Sequence, residues 1–203
     1  MQRLDRILSE AGVASRKELR AMIRAGRVTV DGAAVTDESR KFDETAVRVT
    51  VDGSPVRLRG PVLILLHKPA GYLTAADDPK AKTVMDLVPE AYRKLGVMPV
   101  GRLDKDTEGL LLLTNDGDLA FKLTHPNHNV FKTYIAEVAG FLTMSEAKKL
   151  ERGVDIGKHI TAPAQVEIIS QSDSTSVAQI KISEGKNRQV RRMFEAVGHR
   201  VVA

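Results

Sequence analysis

Gly101-Arg102-Leu103-Asp104-Lys105-Asp106-Thr107-Glu108-Gly109-Leu110-Leu111-Leu112-Leu113-Thr114 sets a charged, glycine-bounded loop directly before an apolar run. The four leucines read as a buried strand. A polar loop at the head of a core strand lets a rigid scaffold aim side chains at a ligand. The stretch therefore predicts a sheet-based domain whose chemistry sits in residues 101–109. Upstream, residues 62–66 read as a second buried strand leading into Lys68-Pro69-Ala70-Gly71-Tyr72, and residues 83–87 open a short helix. Downstream, Asn115-Asp116-Gly117 reads as a turn and residues 133–138 as a strand. Thr143-Met144-Ser145-Glu146 has the form of a capping box, for a helix ending near Gly153. Residues 164–170 and 176–182 read as strands paired across Ser172-Asp173-Ser174. Val190, Met193, Phe194 and Val197 recur at helical spacing before Gly198. Paired strands interrupted by helices predict an α+β fold with a largely antiparallel sheet and flanking helices.

The first sixty residues read differently. Leu4, Ile7, Leu8 and Ala11 have helical spacing up to Gly12, and Ser15-Arg16-Lys17-Glu18 is a second capping box. Its helix buries Leu19, Met22 and Ile23 and stops at Gly26. Arg16, Arg20 and Arg24 lie four apart, so their guanidinium groups form a column on one face. Val28 and Val30 alternate into Asp31-Gly32, a hairpin signal that returns as Val47, Val49 and Val51 before Asp52-Gly53. The first thirty residues carry seven basic and three acidic side chains. That column is either a solvated face or a grip on phosphates. Ser54-Pro55-Val56-Arg57-Leu58-Arg59-Gly60-Pro61 is a polar connector, which places the domain boundary between residues 1–60 and 61–203.

Composition narrows the partners. Net charge is +5 and the pI about 9.5, which favours a polyanion. The absence of cysteine excludes disulfides and thiolate metal sites and suits a reducing compartment. His125 and His128 come closest to a metal pair, but His-Pro-Asn-His reads as a turn. Met1-Gln2-Arg3-Leu4-Asp5-Arg6 lacks the apolar core of a secretory signal, and the apolar runs are too short to cross a bilayer. A monomeric cytoplasmic protein with no membrane partner is expected. Three Tyr, five Phe and no Trp leave too few rings for a broad base-stacking platform.

Three separated motifs carry the remaining information. Asp104 lies in Gly-Arg-Leu-Asp, Tyr134 in Phe131-Lys132-Thr133-Tyr134-Ile135, and Arg191 in Glu184-Gly185-Lys186-Asn187-Arg188-Gln189-Val190-Arg191-Arg192-Met193. Singly, these read as a turn acid, a packed strand tyrosine and a solvated helix arginine. Together, in this order, they resemble the small-subunit pseudouridine synthase A type of the rRNA pseudouridine synthases. Lys68-Pro69-Ala70-Gly71-Tyr72, Asp77-Asp78-Pro79 and Thr83-Val84 resemble that family too. Arg3-Leu4-Asp5-Arg6-Ile7-Leu8, Ala14-Ser15-Arg16 and Gly26-Arg27-Val28-Thr29-Val30-Asp31-Gly32 are similar to the S-four-type RNA-binding domain. A DNA-reading helix-turn-helix is the rival there, but it does not require the hairpin.

The resemblance implies a small N-terminal RNA-binding domain followed by a catalytic domain that isomerises a uridine of ribosomal RNA, free or within an assembling ribosomal particle. It implies Asp104 as the reacting carboxylate, with Tyr134 and Arg191 as catalytic partners and Arg102 holding the strand left by a flipped base. Lys132, Arg188, Arg16, Arg20 and Arg24 are the candidate RNA contacts. Lys186-Asn187-Arg188-Gln189 is closer to large-subunit relatives, whereas Asp77-Asp78-Pro79 and Lys132-Thr133-Tyr134 lean to the small-subunit type, so both rRNAs stay open. Family members continue beyond Arg200-Val201-Val202-Ala203 with a closing strand, so a longer C-terminus is expected.

The isomerisation breaks a C–N bond, turns the base and rejoins it through carbon. No atoms enter or leave, so neither cofactor nor metal is expected. A desolvated carboxylate needs a nearby cation to stay ionised, and a phenol suits late proton transfer at the ring carbon. The base must leave its stack to react. Two rivals remain. Asp104-Lys105-Asp106-Thr107 fits the D-x-D-x-T motif of magnesium-dependent phosphatases, although there an apolar parallel strand should precede the acids. A non-catalytic RNA-binding assembly factor explains the charge but leaves the three motifs as coincidence.

Overall fold

The computed structural model describes residues 1–56, 60–157 and 159–203. Arg57, Leu58 and Arg59, in the connector read above, lie outside the described residues. The α-carbon packing groups the chain into Met1–Ala120 and Phe121–Ala203.

In the first unit, β1 (Gln2–Arg3) leads into α1 (Leu4–Glu10), and α2 (Arg16–Arg24) follows. Ser15 Oγ accepts from Glu18 N at 3.4 Å, and the Glu18 carboxylate accepts from Ser15 N at 3.0 Å. This reciprocal pairing satisfies two helix-end donors. Gly12 takes φ +73°, and a Cβ there would lie 2.6 Å from the Lys94 carbonyl oxygen, so only glycine permits the approach. β2 (Val28–Val30) and β3 (Ala33–Ala34) turn through Asp31 at φ 49° and Gly32 at φ 84°. Two successive left-handed residues are what the twist of a tight hairpin demands. β4 (Lys41–Phe42) pairs with β1, while β5 (Val49–Val51) and β6 (Ser54–Pro55) complete a sheet in the order β3-β2-β5-β6. Leu4, Leu8, Leu19, Ile23, Val28, Val30, Val35 and Val49 form its core. Full burial of each is worth about 1.5–3 kcal/mol.

The same unit holds β7 (Leu63–Lys68), α3 (Glu90–Arg93), β8 (Met98–Val100) and β9 (Gly109–Thr114), with the antiparallel sheet ordered β7-β9-β8. The reading of residues 62–66 and 110–114 as buried strands holds for one face only. Leu111 and Leu113 are buried, but Leu63, Leu65 and Leu110 are 52%, 69% and 67% exposed. Leucine at both parities hid an ordinary one-sided alternation, which an antiparallel sheet tolerates. Residues 84–87 form a single 3₁₀ turn, and the Asp86 carboxylate accepts from Thr83 N at 2.8 Å at its start. Asn115-Asp116-Gly117 proves to be more than a turn. Asp116 Oδ1 accepts from Asp118 N at 2.9 Å and Leu119 N at 3.1 Å, opening α4 (Gly117–Thr124).

The second unit contains β10 (Lys132–Ala139), α5 (Met144–Arg152), β11 (Gln165–Gln171), β12 (Thr175–Ile182) and α6 (Gln189–Ala196). Its sheet is antiparallel in the order β10-β12-β11, with Tyr134 opposite Ile180 and a bulge in β11 between Ile168 and Ser170. Ala136, Val138, Leu142, Leu150, Ala178, Ile180, Ile182, Met193 and Phe194 pack between sheet and helices. Thr143 and Glu146 cap α5 reciprocally, and Gly153 ends it at φ +97°. A side chain at Gly153 would collide with the Thr161 carbonyl. The expected mixture of helices and antiparallel sheet is therefore present. No helix among the described residues is long and apolar enough to cross a membrane.

Candidate active site

Asp104 is half-buried in the loop before β9, within the first unit. Its neighbours are fastened on both sides. Thr74 Oγ1 donates to Leu103 O at 2.7 Å and accepts from Leu103 N at 3.2 Å. Gly71 N donates to Lys105 O at 2.8 Å, and Thr107 N closes a turn onto Asp104 O at 3.1 Å. Lys68 holds the loop from below. Its side chain is fully buried, and Nζ donates to Pro69 O at 3.0 Å, Lys105 O at 3.1 Å and Thr107 O at 2.8 Å. Burial pulls the ammonium pKa down, while the carboxylates of Asp106, Glu108 and Asp104 pull it back up. The backbone on either side of Asp104 is thus fixed, and a fixed backbone is what preorganises a side chain for chemistry. Arg102, two residues earlier, is exposed.

Sequence reading missed Lys68 and Thr74 as supports of this loop. A signal for Lys68 was present: it shares parity with Ile64 and Leu66, the inward positions of β7, so its stem had to point into the core. For Thr74 the sequence carries none.

Tyr134 and Arg191 belong to the second unit. Tyr134 stands on the core side of β10, packed against the sheet–helix core. Arg191 is half-buried on α6, and Nη1 donates to Val201 O at 3.4 Å. The loop leading into α6 is organised by Glu184. Its carboxylate accepts from Ala162 N at 2.9 Å and Gln189 Nε2 at 2.7 Å, and pairs with His159 Nε2 at 3.0 Å. Burial pushes the Glu184 carboxyl up, but those three partners together hold it below the usual range. Arg188 is exposed at the head of α6 with φ 50°. Among the described residues, the other non-glycine residues at positive φ are Asp31, Asp52 and Asn129, types that tolerate it, so strain marks Arg188. Lys132 donates to Ser183 O at 3.2 Å, and burial lowers its pKa.

The three arginines of α2 are all exposed, but two have acidic neighbours. Arg24 pairs with Glu38 at 2.6 Å and Arg20 approaches Asp5 at 3.7 Å. Arg16 borders a small cleft of about 290 Å³. A larger cleft of about 690 Å³, between residues 11–13, 51–56 and 90–95, is lined by none of the candidate residues. No group of three or more potential metal ligands occurs among the described residues. The strand before Asp104-Lys105-Asp106-Thr107 is β8, antiparallel to β9, which is not the parallel arrangement the phosphatase motif needs.

Comparison with known proteins identifies related chains. A family model described as RNA pseudouridylate synthase matches residues 62–196, and an S4 domain model matches residues 2–47. The chain is 44% identical to ribosomal large subunit pseudouridine synthase B of Bacillus subtilis, covering 100% of this chain and 83% of that one. It is 36% identical to ribosomal small subunit pseudouridine synthase A of Vibrio cholerae, over 98% of this chain and 85% of the relative. A crystal structure of a pseudouridylate synthase superposes with a TM-score of 0.65 at 28% identity, covering 100% of this chain and 86% of that one.

Proposed function

The chain belongs to the RNA pseudouridylate synthase family, an RNA isomerase joined to an S4 domain, and from that premise we propose that it converts one uridine of ribosomal RNA to pseudouridine through Asp104. The observation that carries the assignment is the fastening of the Asp104 loop at Leu103, Lys105 and Thr107 by Thr74, Gly71 and Lys68. Such anchoring serves a carboxylate whose position matters to the reacting atom. In the reaction the bond from sugar C1′ to uracil N1 breaks, a bond from C1′ to C5 forms, C5 loses its proton and N1 gains one. Asp104 either attacks the sugar or removes a sugar proton. Tyr134 supplies a flat ring against uracil and a phenol for the proton at C5. Arg191 supplies the balancing positive charge, and Arg102 fills the space left by the flipped base. Residues 1–60 form the RNA-binding domain and residues 61–203 the catalytic one. Arg16, Arg20 and Arg24 in the first, and Lys132 and Arg188 in the second, contact the RNA.

Asp104→Asn tests this directly, because it keeps the shape and removes the charge. Turnover, measured as loss of the uridine C5 hydrogen from a ribosomal RNA fragment, should fall below about one per cent of wild type. RNA affinity should stay within about threefold, a small fraction of the energy of a full RNA interface. Residual turnover above that level removes Asp104 from the chemistry. Tight RNA binding by the unaltered protein without any isomerisation would instead support the assembly-factor reading.

A further inference from the structure

Residues 121–134 read Phe-Lys-Leu-Thr-His-Pro-Asn-His-Asn-Val-Phe-Lys-Thr-Tyr. This segment holds five of the chain's thirteen Phe, Tyr and His residues, two lysines and no acid. Of the five rings, Tyr134 is the one packed against the core of the second unit. Phe121 is 53% exposed and Phe131 49%. Single exposed rings are common and require no explanation. Here they are ordered. Phe121 and His125 stand 4.5 Å apart at 39°, and His128 meets Phe121 edge-on at 5.6 Å. His125 and His128 complete the triangle at 6.0 Å. The turn between them is braced: His125 Nδ1 accepts from Asn127 N at 3.3 Å, Pro126 opens the 3₁₀ turn, and Asn129 closes it at φ 48°. Farther along, Lys181 Nζ lies 4.9 Å over the Phe131 ring.

Rings that add nothing to the core yet are held in fixed geometry on the surface are preorganised for a flat apolar partner. With no acid among them and Lys122 between them, that partner carries negative charge. A nucleobase on its phosphate backbone meets both requirements. We propose that Phe121, His125 and His128 form a stacking site for an unpaired base of the RNA, separate from the residues that react. The proposal rests on the RNA-isomerase reading above. The low ring count argues against a broad platform, but three clustered rings suffice for one or two bases.

The test is a titration of the full chain against a short single-stranded RNA and a blunt duplex of the same sequence, by fluorescence anisotropy. Phe121→Leu keeps apolar bulk and removes the ring. It should weaken single-strand binding about fivefold or more, the range for losing one stacked base. Duplex affinity should be unchanged, and so should the salt slope, because no phosphate contact is lost. Phe121→Tyr should bind like the wild type. Wild-type single-strand affinity in Phe121→Leu, or an equal loss on both RNAs, overturns the proposal. Should Phe121→Leu prove unfolded by circular dichroism, the exposed His128→Gln is read in its place, with the same contrast between single strand and duplex deciding. Uridine conversion by the unaltered protein is followed in parallel. Its absence removes the functional reading, while the contrast between the two RNAs still decides the stacking site.

Discussion

At the scale of single residues, two polar groups, buried Lys68 and half-buried Glu146, carry more than their neighbours. Lys68 donates to three carbonyls around the Asp104 loop. Lys68→Met preserves length but removes this donor from Pro69 O and Thr107 O and leaves Lys105 O with Gly71 N alone, at about 1–3 kcal/mol for each group that stays dry and unpaired. Relief from burying an ammonium offsets part of this. A net loss of about 2–4 kcal/mol is expected in urea unfolding, with turnover falling at least about tenfold because the loop loosens. Unchanged turnover would make the lysine a packing residue. Glu146 offers a pH test. Hydrogen bonds from the Thr143 hydroxyl and backbone, with His199 beyond them, bring its carboxyl from 4.5 to about 2. Because the folded value is depressed, its stabilisation is complete above the unfolded value and is lost as pH falls from about 4.5 towards 2. The group is partly exposed, so screening leaves on the order of 1–2 kcal/mol. Glu146→Gln keeps the capping geometry without the charge. Wild type should exceed it by that amount at neutral pH, and the two should converge near pH 2 to 3. A constant gap across that range would assign the stability to the hydrogen bonds alone.

At the scale of elements, α2 is where charge and structure compete. Arg24 is held by Glu38 and Arg20 faces Asp5, so the proposed RNA contact would require both to exchange a carboxylate for a phosphate. Replacing Arg16, Arg20 and Arg24 together with Ala should flatten the log–log dependence of RNA affinity on salt by roughly two to three units, at about 0.7–0.9 per phosphate. Alanine suits a helix, so folding should persist. A wild-type salt slope in the triple variant would show the column to be solvated and would leave RNA recognition to the catalytic domain. The same competition explains what was legible. The spacing of Arg16, Arg20 and Arg24 could be read directly, because i,i+4 geometry is local. Their acidic partners could not, because Glu38 and Asp5 arrive from other elements.

At the scale of the molecule, Arg6 joins distant parts of the first unit. It reaches Glu10 at 2.7 Å, Asp116 at 3.3 Å and Asp118 at 2.7 Å, tying the first helix to the start of α4. Arg6→Leu leaves three carboxylates facing one another, an uncompensated cluster that should cost about 1–3 kcal/mol in this partly exposed setting. The urea midpoint should drop at low salt, and the deficit should shrink in 1 M salt, where the screening length is about 3 Å. An unchanged midpoint would mean that the cluster is solvated and the first unit holds by packing alone. The capping boxes at 15–18 and 143–146, the turns at 31–32 and 52–53 and most of the longer strands and helices were legible in the residue order. Those depend on residues within about four positions of each other. It also displayed the Asp104, Tyr134 and Arg191 motifs as wording. The fold was needed to show that β7 and β9 are covered on one face, that Asp116 starts a helix, that Lys68 lies beneath the Asp104 loop and that Arg6 meets Asp116 across 110 positions. Burial and pairing depend on what the rest of the chain brings to a surface, and no local spacing encodes that.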